Sequence, residues 1–150
     1  MPISKYLREK NIMDLINGLG SSSYGTTYLA LCANNPATTD DDAQLGEPSG
    51  NGYVRIPVRY NIISGTQQYV NNFPTTPTYD SGTDKYSITN TKDIYFYEAT
   101  GSWGTLPYFV IFDQQTGGNR LAYGSLTSAI SPAANTIPVV RTGNLTITEQ

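Results

Sequence analysis

From Thr26 to Thr148 the chain is a succession of short β-branched and aromatic runs, each closed by a cluster of Gly, Pro, Asn, Asp or Ser. That rhythm has no room for helices between the runs, so it disfavours a parallel α/β sheet and predicts antiparallel pairing through tight turns. The runs are Thr26–Cys32, Tyr53–Tyr60, Lys85–Ile88, Asp93–Glu98, Thr105–Asp113, Arg120–Leu126, Thr136–Val140 and Leu145–Thr148. About eight short strands with regular turns predict an all-β fold, an antiparallel, jelly-roll-like β-sandwich. The 150 residues suit one such domain, long enough to bury a sizeable core without metals or disulfides.

Within the runs, Thr26–Cys32 reads as a strand buried on both sides near its end, and Tyr108–Phe112 as the most buried stretch. In Tyr53–Tyr60, alternation sends Val54, Ile56 and Val58 one way and Tyr53, Arg55, Pro57 and Arg59 the other. Pro57 suits an edge strand or bulge. Thr116-Gly117-Gly118-Asn119 signals a hairpin turn, and Thr142-Gly143-Asn144 a turn between the last two strands. The expected core is Leu29, Leu31, Ile56, Val58, Ile94, Phe96, Trp103, Phe109, Ile111, Leu121 and Leu145. Two segments, 33–52 and 64–84, read as long loops, and loops of that length are often functional.

One segment breaks the strand rhythm. Over residues 3–19, Ile3, Tyr6, Leu7, Ile12, Leu15, Ile16 and Leu19 recur at helical spacing, with Ser4 as the expected N-cap and Gly18 or Gly20 as the stop. The organisation expected is a helix over 1–20 and a sandwich over 21–150. The helix either closes one end of its own sandwich or, across the Gly20-Ser21-Ser22-Ser23 joint, docks on a neighbouring subunit.

Composition narrows the chemistry. There is no histidine, which removes the commonest general base and metal ligand and excludes Ser-His-Asp and Cys-His arrangements. The single cysteine, Cys32, allows no internal disulfide and ends an apolar strand, where a buried core thiol is expected. Asp93, Glu98, Asp113 and Glu47 are the carboxylates that a glycosidase would have to pair; nothing in their spacing pairs them, and no enzyme is expected. Asp40, Asp41 and Asp42 are weak candidates for Ca²⁺, lacking the spacing of a calcium loop, and read better as a solvated loop tip. No cofactor is expected. Nine scattered basic residues and a net charge of −3 argue against nucleic acid. No apolar run approaches a membrane span, and the first residues lack the apolar core of a signal peptide, so synthesis in a cytoplasm is expected.

Twelve tyrosines accompany one Trp and four Phe, while charged residues are only 14%, well below the usual quarter. Aromatic surface with few charges is the composition of interface centres, and solvent-facing tyrosines also suit sugar stacking. Ile12 and Leu15 on the helix, with Tyr69, Phe73 and Tyr79 in 64–84, are the interface candidates.

A set of motifs runs through the chain in order: Thr27-Tyr28-Leu29-Ala30-Leu31, Gly50-Asn51-Gly52-Tyr53-Val54-Arg55, Glu98-Ala99-Thr100, Trp103-Gly104, Phe112-Asp113, Gly117-Gly118-Asn119 and Leu121-Ala122-Tyr123-Gly124. This series resembles a family of small β-sandwich virion proteins of tailed bacteriophages, of the tail-fibre, head-fibre or decoration type. The resemblance implies a structural virion component, a homo-oligomer with threefold association favoured, docked on capsid or tail proteins. The alternative is a glycan-binding module contacting the host surface. Trp103 is expected to plug the core at the start of a strand, and Ala99 to permit close packing.

Overall fold

A computed structural model describes residues 4–16 and 25–149. Helix α1 (Lys5–Ile16) is capped by Ser4, whose Oγ accepts a hydrogen bond from the Leu7 amide at 3.2 Å. Its inner face is Ile12, Leu15 and Ile16, all buried. The Thr27 hydroxyl donates to the Leu15 carbonyl at 2.7 Å in a buried contact, satisfying an acceptor that the helix end leaves open. The helix therefore packs on its own domain. Ile3, Gly18, Leu19 and the 20–23 joint lie outside the described residues.

Eleven strands are found among the described residues: β1 (Tyr28–Cys32), β2 (Ile56–Pro57), β3 (Tyr60–Ile63), β4 (Thr66–Tyr69), β5 (Thr78–Asp80), β6 (Lys85–Thr89), β7 (Ile94–Tyr95), β8 (Leu106–Phe112), β9 (Arg120–Ile130), β10 (Val139–Val140) and β11 (Thr146–Thr148). Every pairing is antiparallel, in sheets of order β2-β1-β8-β9, β11-β6-β5, β10-β7 and β3-β4. The fold is all-β with one N-terminal helix, built from more and shorter strands than the sequence predicts.

The two central strands of the largest sheet, β1 and β8, are covered on both faces, because they are apolar at every inner position. Leu29, Leu31, Phe109 and Ile111 face the main core with Ile88, Ile94, Phe96, Trp103 and Leu145. Ala30, Cys32, Val110 and Phe112 face the other way, under Leu45 of the 33–52 loop. That loop carries two short 3₁₀ turns, Pro36–Thr38 and Asp42–Gln44, capped by the side chains of Asn35 and Asp41. Burying Leu45 stabilises the loop's seat by about 2 kcal/mol. Ten of the eleven expected core residues are buried. Leu121 is only partly buried, because it is the extra residue of a β-bulge: Ile111 pairs with Ala122, but Phe112 pairs with Arg120.

Three expectations are corrected. Tyr53–Tyr60 is not one strand; Ile56–Pro57 pairs as the edge strand β2, Val58–Arg59 is a turn, and Tyr60 begins β3. Its alternation also fails, since Val54 is exposed while Arg55 and Pro57 are buried. The cause is the set of contacts that draws the Arg55 guanidinium inward. Residues 64–84 are not a structureless excursion. Ser64 and Gly65, both at positive φ (52° and 76°), close a two-residue β3–β4 hairpin, and β5 pairs with β6. Hydrophobic alternation could not reveal β4, because all four of its residues are exposed. Finally, the Thr142–Asn144 turn does not close a hairpin. β10 pairs with β7 and β11 with β6, so the turn carries the chain from one sheet to another.

Candidate functional site

The polar side chains that the sequence offers for chemistry are found bracing loops. Arg55, 7% exposed, sits where three segments meet. Its Nε and Nη2 donate to the two carboxylate oxygens of Glu47 at 2.7 and 2.9 Å, and Nη1 donates to the carbonyls of Gln114 (3.1 Å) and Gly117 (2.8 Å). The guanidinium carbon lies 3.6 Å from the centroid of the Phe112 ring. Burial opposes the charge, but the Glu47 hydrogen bonds and charge outweigh it and raise the Arg55 pKa. The Tyr53 hydroxyl donates to Glu47 at 2.8 Å and accepts from the Leu31 amide at 3.1 Å. Burial, then the Glu47 charge, pushes this phenol well above its ordinary pKa. One ion pair thus ties the end of the 33–52 loop, β1 and the β8–β9 turn together. The sequence gives little sign of Arg55's role beyond its place in an otherwise apolar run.

Arg120 does the same for the front of that loop. Its Nε donates to Asp42 at 2.6 Å, and Nη1 donates to the carbonyls of Pro36 and Thr39 at 3.0 and 2.7 Å. Asp41 caps the second 3₁₀ turn by accepting from the Ala43 amide at 3.0 Å, and Asp40 makes no hydrogen bond among the described residues. The three aspartates therefore have separate roles, and no group of three or more His, Cys, Asp or Glu poised for a metal occurs among the described residues.

The remaining candidates follow suit. Asp93 accepts from the Thr142 amide (2.7 Å) and hydroxyl (3.0 Å) and from Arg141 (3.2 Å); Asp113 accepts from the Asn119 amide (2.7 Å) and side chain (3.0 Å). These bonds hold both carboxyls below the ordinary Asp value, the opposite of what a glycosidase's general acid needs. Glu98 is exposed at the surface. Cys32 is buried, and desolvation with the nearby Glu47 charge pushes its thiol up to about 12. A buried asparagine pair missed in the sequence, Asn61 and Asn72, joins the hairpin base to the body. Asn61 donates to Asn72 Oδ1 (3.1 Å) and to the Asp93 carbonyl (3.0 Å) and accepts from the Tyr95 amide (3.0 Å). Trp103 plugs the core ahead of β8, donating through Nε1 to the Asn51 carbonyl at 2.8 Å and meeting Tyr53 edge to face. Ala99 is fully buried opposite Thr136.

Of the five interface candidates, Ile12, Leu15 and Phe73 are buried in this chain's own core, and Tyr79 is partly buried against it beneath the Lys5 ammonium, 4.0 Å from its ring. These three core side chains have no free face, because the helix and the 70–74 segment fold back on the sheets. Tyr69 is different: 50% exposed, it stands on the β3–β4 hairpin with the Tyr60 ring edge-on at 5.9 Å and the Arg59 guanidinium 5.0 Å away. Among the described residues, Tyr6, Leu7, Val54, Ile63, Tyr123 and Ile137 are the other large apolar side chains left exposed.

Fold and side-chain networks together define an all-β domain whose ion pairs and amides brace its loops, with the rings of Tyr6, Tyr69 and Tyr123 left exposed. Residues 2–148 match the family described as Podophage GP4 fiber I protein gp80, and the chain belongs to that family of phage fibre structural proteins. No curated protein matches it. No helix among the described residues is long and apolar enough to cross a membrane.

Proposed function

We propose that this chain is a non-enzymatic fibre subunit that self-associates and is anchored to capsid or tail proteins of the virion. Membership of the fibre family over nearly the whole chain carries the reading. The β3–β4 hairpin supports it as the contact point, since β3 seats on the core while every β4 residue is exposed, with Tyr69 at the hairpin's base. An exposed hairpin edge with aromatic side chains and few charges is a ready partner for another chain. Threefold order is favoured by the earlier resemblance alone. Sedimentation of the purified chain tests self-association: we expect an oligomer that Tyr69→Glu dissociates, and a monomer at all concentrations overturns it. Labelling of intact particles tests the anchoring.

A second reading, glycan binding, is favoured by one observation. The Tyr123 side chain is 50% exposed, with neither a hydrogen bond nor a ring contact among the described residues, beside a polar cleft.

A further inference from the structure

The bulge at Leu121 has a consequence for that cleft. In a regular strand, residues three apart point to opposite faces. Here Arg120 stands opposite Phe112 and Tyr123 opposite Val110, and Phe112 and Val110 share a face of β8. The extra residue therefore turns Arg120 and Tyr123 to the same side, the side that the 33–52 loop covers. Bulges commonly re-aim side chains beside sites.

What they border is a shallow cleft of about 370 Å³ between the loop and the β8–β9 turn, large enough for a small ligand. Its polar groups are held in place from behind. Arg120 fixes Asp42 at 2.6 Å. Asp113 takes both the amide N–H and the side-chain NH₂ of Asn119, which leaves the Asn119 side-chain oxygen without a partner among the described residues. Gly118 brings the turn in close: it sits at φ +81°, and a Cβ there would lie 2.5 Å from the Asp113 carboxylate. Asp40 adds a carboxylate with no hydrogen bond among the described residues.

The arrangement selects a ligand by chemistry. Arg120 is neutralised by Asp42, and Asp40 leaves a net negative charge, so anions are disfavoured. Arg120 Nη2 is a buried donor with no partner among the described residues, and the Asp40 carboxylate and Asn119 side-chain oxygen are acceptors without one; a group that both donates and accepts, such as a sugar hydroxyl, matches that mixture. The Tyr123 ring at the edge, with no ring contact among the described residues, offers a flat apolar surface with a polar tip. We propose that this cleft is a saccharide site. A neutral pyranose would lay its C–H face on Tyr123 and direct its hydroxyls to Asp40, Asp42 and Asn119. This rests on the second reading above and names its site.

The test uses the full chain and a panel of free pyranoses: glucose, galactose, mannose, rhamnose and N-acetylglucosamine. Saturation-transfer NMR is expected to show transfer to the ring C–H protons of at least one sugar, with shifts in the Tyr123 and Asn119 amides. Tyr123→Ala should weaken binding at least tenfold and Tyr123→Phe should retain it, with an otherwise unchanged amide spectrum certifying the fold. Asp40→Asn should weaken binding severalfold. No transfer to any sugar, or transfer unchanged in Tyr123→Ala, overturns the site. Sedimentation of the same variants keeps the readings apart: assembly with no sugar binding sinks only the site, and sugar binding by a permanent monomer sinks only the self-association reading.

Discussion

Replacing Arg55 by Ala should be among the most damaging changes to this chain that leaves its apolar core intact. The substitution strands the Glu47 carboxylate, which keeps only the Tyr53 hydroxyl, and frees the carbonyls of Gln114 and Gly117. Removing one partner of a fully buried pair costs about 3–5 kcal/mol. Glu47 is 20% exposed, so water partly rehydrates it and the cost falls below that range, to roughly 2 kcal/mol. Loss of the guanidinium stacked on Phe112 adds about 1 kcal/mol. The sum, about 3 kcal/mol, lowers Tm by about 6–12 °C in a domain of this size. Arg55→Lys keeps the charge but not the two-pronged fork, and should fall between the parent and Arg55→Ala. Urea unfolding of the parent, Arg55→Ala, Glu47→Gln and the double variant gives the coupling directly; we expect at least about 1.5 kcal/mol. A Tm within about 2 °C of the parent, or a coupling below about 0.5 kcal/mol, would refute the claim that this pair braces the loops.

Gly118→Ala should cost about 1–3 kcal/mol, because the new Cβ meets the Asp113 carboxylate at a positive-φ position; thermal unfolding reads it. Asp80, Asp84, Asp93 and Asp113 are depressed chiefly by hydrogen bonds from the Gly82 amide, the Tyr79 hydroxyl, the Thr142 amide and the Asn119 amide respectively. Their folded pKa values lie below the unfolded ones, so their stabilisation is complete above the unfolded value of about 4 and disappears as pH falls through the folded values. Tm should hold from neutral pH to about 5 and drop below about 4, less steeply in Asp113→Asn; a Tm that rises on acidification contradicts this. Cys32, buried with its thiol pushed up to about 12, should resist a thiol reagent at neutral pH until the chain unfolds, and fast labelling of the native protein would show that the loop over it opens.

Much of the fold was legible in the chain because apolar spacing and turn chemistry are local. The β1 and β8 runs need two covered faces whatever surrounds them, the Gly117-Gly118 pair can only be a tight turn, and the absence of histidine excludes whole classes of catalyst in any fold. Local pattern could not show β4, whose residues are exposed on both sides, or the inward turn of Arg55, which depends on a carboxylate eight residues back and an aromatic ring on another strand. It could not show that Ile12, Leu15 and Phe73 are covered by their own chain, since an apolar face looks the same whether its cover is internal or a neighbour. The bulge at Leu121 is the clearest case. Nothing in Arg120-Leu121-Ala122-Tyr123 announces it, because a bulge is a mismatch between two strands and exists only once β8 and β9 have paired.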